Sequence, residues 1–296
     1  MALIGRNYNR IIELTLHMAN GQKKYIKCPK HGRKPAIEIT GNYTTANYLP
    51  AFNVTVKNLY LEIKNTAYTK LDVKAGYADG SSDTFTGSII SLYQEEPGPE
   101  GKTVIQCVMG EVNSWLDKSV QVSYEPGTPL VTIITDLQKK LKANGMRLGL
   151  TAKALTIKDR FEHGGTGREA LTKLQKYFTD SNLVLFVRNN YICGVCAPGV
   201  DFINAHTLDY LSAPPQENTG GDDGAYYTTV SAPWNPELRI GDLLRIPGKI
   251  YIRNYAIVGA AAKTQLIQVT ALSFHFSTTG SANSMTVQGF LVKGTK

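Results

Sequence analysis

The spacing of apolar residues changes twice along this chain of 296 residues, and those two changes constrain its fold more than any motif does. Up to about residue 113 apolar and polar side chains alternate, the period of half-buried strands. "FNVTVKNLYLEI" at 52–63 puts Phe52, Val54 and Val56 on one parity and Leu59, Leu61 and Ile63 on the other. A one-residue slip sends side chains to the opposite face, so the spacing predicts a bulge near Lys57–Asn58 or two strands meeting at a tight bend. "LDVKAGY", a turn at "ADGSSD" and "TFTGSIISLYQ" predict a hairpin, and "TVIQCVMGEV" a further strand. Short strands with turns between them read as a barrel or a sandwich.

The period then lengthens. "GTPLVTIITDLQKKLKANG" carries apolar residues at 130, 133, 134, 137 and 141, one face of a helix. Thr128 is expected as its N-cap, Pro129 at its first position and Gly145 as its stop. Thr166 and Glu169 have the spacing of a capping box, with Ala170, Leu171, Leu174, Tyr177 and Phe178 on one face of a second helix. "NLVLFV", a turn at Arg188-Asn189-Asn190 and "YICGV" predict a hairpin. After Pro198 comes a long loop containing "SAPPQENTGGDDGAYY", of a length that is usually functional or mobile. From Tyr226 onward "YYTTVSA", "LRIGDLLRI", "YIRNYAIVG", "TQLIQVTALSFHF" and "SMTVQGFLV" predict about five strands. The expected fold is mainly β with an α+β insert, divided at 1–113, 114–198 and 199–296.

Composition bounds the function. Hydrophobic content of 42% beside charged content of 19% describes a globular chain with ample core. The longest clean apolar run, Ala256 to Ala262, is far short of the roughly 20 residues of a membrane span. Arg6 and Arg10 stand where a signal peptide needs its apolar stretch, so no secretion signal is read and synthesis in a cytoplasm is expected. The net charge of +8 is concentrated: residues 1–36 hold eight Lys/Arg and one acid, while the other 260 hold 24 basic and 23 acidic residues. Within "GQKKYIKCPKHGRKP", Lys23, Lys24, Lys27, Lys30, Arg33 and Lys34 are expected on a loop that contacts an acidic neighbour.

No arrangement of residues points to catalysis. Cys193 and Cys196 have redox or zinc spacing, but they end a strand-like run and Pro198 and Gly199 follow, so no helix N-terminus activates a thiol. Zinc would need a second ligand pair, for which only Cys28 with His31 offers itself, so no metal or other cofactor is expected. "GPEGKT" at 98–103 lacks the first glycine of a phosphate loop, since Glu96 stands there, and it leads into a strand. "HGGTG" at 163–167 precedes a helix but has no lysine, which leaves a capping loop. The five histidines are scattered, and the acid pairs Glu95-Glu96 and Asp222-Asp223 fall in turns.

One phrase remains, "SAPWNPELRIGDLLRIP" at 231–247. Asn235-Pro236 sets a turn, and Gly241-Asp242 reverses the chain so that "LLRIP" can return as a strand. Gly241 is expected in a conformation that a side chain would strain, and Asn235 and Asp242 are expected to bond the backbone of their own turns. Asp242→Asn is therefore expected to be mild. Taken with Leu211-Ser-Ala-Pro214 and Tyr226-Tyr-Thr-Thr-Val230 before it, this phrase resembles the C-terminal domain of the baseplate (tail tip) hub proteins of tailed phages, relatives of phage late control proteins. The N-terminal half is similar to the family's first barrel, with "Ala-Gly-Tyr" at 75–77 paired to Phe85, Gly87 and Ile89, and the Thr-Pro-Leu helix and "REALTKL" resemble its inserted α+β region. The likeness runs in order over most of the chain; the basic segment 21–35 and the loop 213–224 match no family feature.

The resemblance implies two tube-like β-barrels flanking the insert, a homotrimer with pseudo-sixfold symmetry, and a structural, non-enzymatic role. Such a ring receives a hexameric tail tube on one side and a trimeric spike or tip protein on the other, among other baseplate proteins. It is assembled in the host cytoplasm, carried in the virion, and DNA passes through its lumen without specific binding and without a membrane. Two readings compete: a hexameric tail tube or distal tail protein, and a nucleic-acid-binding β-protein using the basic segment and tyrosines. Against the latter, the basic residues precede the aromatic-rich strands and do not interleave with them.

Overall fold

The structure is a computed structural model; it describes the chain except residues 1–9, 28–35, 45–49, 60, 62–66, 79–81, 96–100, 110–114, 189, 197–200, 209–210, 213–214, 221–224, 247–249, 253–254, 258–264, 280–282 and 293–296. Strands dominate. The N-terminal part gives β1 (Arg10–Met18), β2 (Lys23–Ile26), β3 (Ile37–Thr44), β4 (Ala51–Lys57), β5 (Tyr68–Tyr77), β6 (Ser82–Glu95) and β7 (Lys102–Met109). The middle contains β8 (Ser119–Tyr124), α1 (Leu130–Leu141), β9 (Gly145–Leu148), α2 (Leu150–Ala154), β10 (Phe161–Thr166), α3 (Gly167–Tyr177), β11 (Leu183–Arg188) and β12 (Tyr191–Cys196). β13 (Ala205–Thr207), β14 (Gln216–Gly220), β15 (Ala225–Ala232), β16 (Leu243–Ile246), β17 (Ile250–Ile252), β18 (Tyr255–Ile257), β19 (Gln265–Ser277) and β20 (Asn283–Leu291) follow.

Thirteen strands from both ends of the chain share one sheet, in the order β14-β15-β20-β19-β3-β4-β7-β6-β5-β1-β2, with β16 joined to β19 and β13 to β16. The seam is the antiparallel pair β3–β19, in register from Ala271 opposite Thr44 to Ser277 opposite Glu38. Among the described residues this path does not close on itself. The fold is thus mainly β, as expected, while the strands expected in two tube-like barrels run as one open sheet. No described helix is long and apolar enough to cross a membrane.

Alternation decides which side chains fill the core. Phe52, Val54 and Val56 of β4 and Leu71, Val73 and Ala75 of β5 are buried on one face. β4 ends at Lys57 and Asn58 turns the chain at φ 56°; residues 60 and 62–66, which hold most of the 59–63 run, lie outside the described residues. In β6 the small Gly87 leaves room for the Phe52 ring, which packs edge-on against Phe85 at 5.1 Å; a Cβ there would lie 2.6 Å from Phe52.

A second apolar core lies under α1 and α3, with Leu130, Ile133, Ile134, Leu137 and Leu141 all buried as the stripe required. The capping box forms: Thr166 Oγ1 accepts from Glu169 N at 3.3 Å, and Glu169 Oε2 accepts from Thr166 N at 2.8 Å. The α1 ends differ from expectation. Pro129 itself is the N-cap, with ψ 142°, while Thr128 turns its hydroxyl back to the Glu125 carbonyl at 2.6 Å. Lys142, in the left-handed region at φ 61°, ends the helix before Gly145 is reached. Two loop expectations also give way to strands. Lys23 and Lys24 lie in β2, paired to β1, and β14 occupies the middle of the 213–224 segment. Conversely "LRIGDLLRI" is strand only from Leu243, because Leu238–Asp242 form the turn.

Candidate functional site: the Trp234–Asp242 junction and the basic edge strand

Sequence order places "WNPELRIGD" between β15 and β16, and three parts of the molecule converge on it. Trp234 is buried, stacked on Phe274 of β19 at 4.9 Å with 14° between ring planes. Tyr77, the last residue of β5, sets its hydroxyl 3.0 Å from the Trp234 carbonyl and 2.8 Å from Asn283 Oδ1. The "Ala-Gly-Tyr" strand therefore ends where this phrase begins. Asn235 Oδ1 accepts from Glu237 N at 3.0 Å, closing the Asx-turn that Asn-Pro favours. Arg239 is buried; its guanidinium donates to the carbonyls of Pro236 and Leu238 and pairs with Asp83 in β6.

Gly241 has φ +81°, and a Cβ there would collide with the Phe186 ring of β11. Its N–H donates to the Val269 carbonyl of β19 at 2.8 Å. Asp242 has no exposed surface. Its Oδ2 accepts from Arg239 N at 2.9 Å, the expected turn bond, and lies 3.1 Å from His206 Nε2. Its Oδ1 accepts from Arg188 Nη1 at 2.8 Å and from Asn204 N at 3.2 Å. Asp242 is thus more than a turn residue: it anchors Arg188 from the end of β11. Removing its charge would leave that largely buried guanidinium without its counter-ion, so Asp242→Asn is expected to cost more than the turn bond alone would suggest.

A second buried carboxylate works beside it. Asp201 accepts from Thr151 N at 2.8 Å and Ala152 N at 2.9 Å, at the start of α2, and from Cys196 N at 3.3 Å. Its own carbonyl accepts from the Gln268 side chain of β19. Among the described residues the partners of these two acids are backbone N–H groups and the Arg188 and His206 side chains. Their chemistry is fastening. Sequence reasoning found Asn235, Pro236, Gly241 and Asp242 but missed Arg188, His206, Asp201 and the Arg239–Asp83 pair. The one available signal was a charged residue set in an apolar run, as in "LVLFVR" and "ELRIG".

The basic residues do not join this junction by any hydrogen bond or ion pair among the described residues. Lys23 and Lys24 lie on β2 and Lys27 just beyond it, whereas Lys30, Arg33 and Lys34 fall outside the described residues. Lys23 and Tyr25 stand on the outer face of β2, opposite His17 and Thr15 of β1, and Ile26 packs inward. On the neighbouring strand Asp72 accepts from Thr86 Oγ1 at 2.7 Å and lies 2.6 Å from His17 Nε2. Burial pushes the Asp72 carboxyl up, but the hydrogen bonds from Thr86 and His17 and the Lys70 charge outweigh it and hold it below the ordinary carboxylate value.

Cys193 and Cys196 stand three residues apart on β12 and so point to opposite faces. Cys193 belongs to the core of the large sheet and Cys196 to the core under α1 and α3. Burial pushes their thiols up, to about 12 and about 11. They form no pair for redox chemistry or a metal, and the described residues contain no cluster of three or more metal-ligating side chains. A broad surface groove of about 680 Å³ runs along β8, β10 and α3, lined by Gln121, Ser123, Glu162, His163 and Lys173. His163 Nε2 lies 3.0 Å from the Thr166 carbonyl.

No family model and no curated protein matches the chain by sequence. Solved structures do match it. A 43 kDa tail protein of prophage MuSo2 from Shewanella oneidensis is 10% identical with a TM-score of 0.58, over 94% of this chain and 96% of that one. The tail protein from Neisseria meningitidis MC58 is 10% identical with a TM-score of 0.58, over 96% and 97%. An E. coli component of the type VI secretion system, described as structurally similar to the phage T4 tail proteins gp27 and gp5, is 9% identical with a TM-score of 0.54, over 88% of this chain and 75% of that one. Across nearly its whole length, then, the chain has the fold of two prophage and bacterial tail proteins.

Proposed function

We propose that this chain is a structural baseplate hub of a phage tail. Three copies form a ring that adapts a hexameric tail tube to a trimeric spike or tip protein and lines part of the DNA conduit. The observation that carries this reading is the fold shared with two tail proteins over 94% and 96% of the chain. The chain divides for this purpose into 1–113, 114–198 and 199–296, the outer two supplying tube-like walls and the middle one the α+β insert. The role is non-catalytic and needs no cofactor; the two buried carboxylates hold elements together, which is what a load-carrying adaptor requires of them. Assembly takes place in the host cytoplasm, and the protein is carried in the virion.

Native mass spectrometry of the full chain, alone and with its spike protein, tests the reading. A trimer is expected, at about three times 32.4 kDa for the bare ring. A hexamer would make the chain a tube or distal tail protein instead. A persistent monomer binding its partner one to one removes the ring altogether.

A further inference from the structure

Among the described strands β8 and β10 pair only with each other, in unbroken register from Phe161 opposite Tyr124 to Thr166 opposite Ser119. Val120, Val122 and Phe161 are buried in the core under α1 and α3, while Gln121, Ser123, Glu162 and Gly164 stand exposed on the other face. In such a ribbon alternate residues turn both N–H and C=O away from the partner strand. The contacts at its edges identify them. Lys140 of α1 donates to the Gln121 carbonyl at 3.2 Å, and Lys173 of α3 donates to the Glu162 carbonyl at 2.5 Å. Thr166 N donates to Glu169 Oε2 at 2.8 Å, and His163 Nε2 lies 3.0 Å from the Thr166 carbonyl. On β10 the outward set is therefore Glu162, Gly164 and Thr166. Thr166 is satisfied within the chain at both groups. Glu162 N–H and both main-chain groups of Gly164 have no partner beyond the ribbon among the described residues.

Nothing inside the chain calls for glycine at 164. Its φ is not positive, β10 carries no bulge, and a Cβ there would meet only Gln121 Cγ at 4.0 Å. A strand glycine without a bulge or a bend marks a place where another backbone or a ligand comes close. Gly164 and Lys173 both line the groove of about 680 Å³. Charge separates the two edges. Lys140, on the β8 side, is held by Asp136 at 3.0 Å, and the Glu162 carboxylate is held by Arg160 at 2.8 Å. Lys173 is exposed, stands 5.4 Å from the Phe161 ring centroid, and has no carboxylate partner among the described residues.

We propose that the outer edge of β10 receives an extended, acid-bearing segment of a partner protein as a third strand. The segment bonds through its main chain to Glu162 and Gly164, and it lays a bulky side chain across Gly164, as cross-strand side chains do over a facing glycine. Its acid draws Lys173 off the Glu162 carbonyl, which then joins the new ladder. The open main-chain groups select a strand, and the unpaired lysine selects its charge. All the residues used lie within one chain, so the inference goes beyond the ring and stands or falls apart from it.

A displayed library of random peptides about six residues long, the length of an ordinary strand, is selected on the full chain. Enrichment of β-forming peptides that carry Asp or Glu is expected. Methylating the alternate peptide nitrogens that face β10 should weaken binding roughly tenfold or more, through lost main-chain bonds, while methylating the intervening ones should not. Gly164→Val and Lys173→Glu, each checked by circular dichroism, should weaken it as much, and a peptide with Lys in place of its acid should recover binding to Lys173→Glu. In the unmodified chain the Gly164 amide should exchange at least tenfold more slowly once the peptide is bound, as read by nuclear magnetic resonance. No enrichment, binding insensitive to methylation, or peptides that bind both variants as well as the unmodified chain overturns the docking edge. Self-association of the chain alone that Lys173→Glu abolishes makes the occupant a second copy and overturns the assignment to a partner. None of these results bears on the number of copies in the ring.

Discussion

Asp242 gathers an arginine, a histidine and two backbone N–H groups around a carboxylate with no exposed surface. Breaking a buried pair from one side costs about 3–5 kcal/mol, because the partner charge stays buried. Asp242→Asn is therefore expected to lower the unfolding free energy by about that amount in urea titration. A loss below about 1 kcal/mol would mean that the Arg188 contact contributes nothing beyond a neutral hydrogen bond. Asp72 makes a different prediction, about pH. Its carboxyl lies below the ordinary value of 3.8 in the folded chain. The stability it contributes is present above the unfolded value and is lost as pH falls through the lower, folded one. Stability measured from about pH 4 downward should thus fall less steeply in Asp72→Asn than in the unmodified chain. Parallel curves would remove Asp72 from the acid response.

At the scale of elements, strand alternation fixes the fate of the Cys-Gly-Val-Cys run. Cys193 and Cys196 face different cores with thiols pushed up to about 12 and about 11, and Cys107 is likewise pushed up to about 12. All three should resist iodoacetamide at pH 7.5 in the native chain and react on denaturation, as read by peptide mass spectrometry. Rapid native labelling at Cys193 would contradict its burial in the sheet core. Period-two and period-3.6 patterns were legible in the sequence wherever one face is buried, as at Phe52–Val56 and Leu130–Leu141. The Thr166–Glu169 cap was legible because both partners lie within four residues. β14 was not: Gln, Glu, Asn, Thr and Gly show no apolar alternation, and only the ladder to β15 makes them a strand. The turn at Asn235–Asp242 was legible from its own residues. Its ion partners were not, since Arg188 and His206 stand 54 and 36 positions from Asp242 and no local pattern announces them.

At the scale of the whole molecule, one sheet draws on both ends of the chain, and a second core sits in the middle, meeting the sheet along β11 and β12. The seam is long-range: Ile37 N donates to Thr278 Oγ1 at 3.0 Å across 241 residues of sequence. This has a consequence for the nascent chain. As the polypeptide leaves the ribosome, β3 emerges long before β19, and of its two neighbours among the described strands only β4 follows soon after. At elongation rates of roughly 5–20 residues per second, the 241-residue interval lasts roughly 12–48 s. Throughout it the β3 edge stays open, while β8–β10 and β9–β12–β11 can already pair from residues in hand. The helical middle is thus free to organise during translation, before β19 arrives to pair with β3.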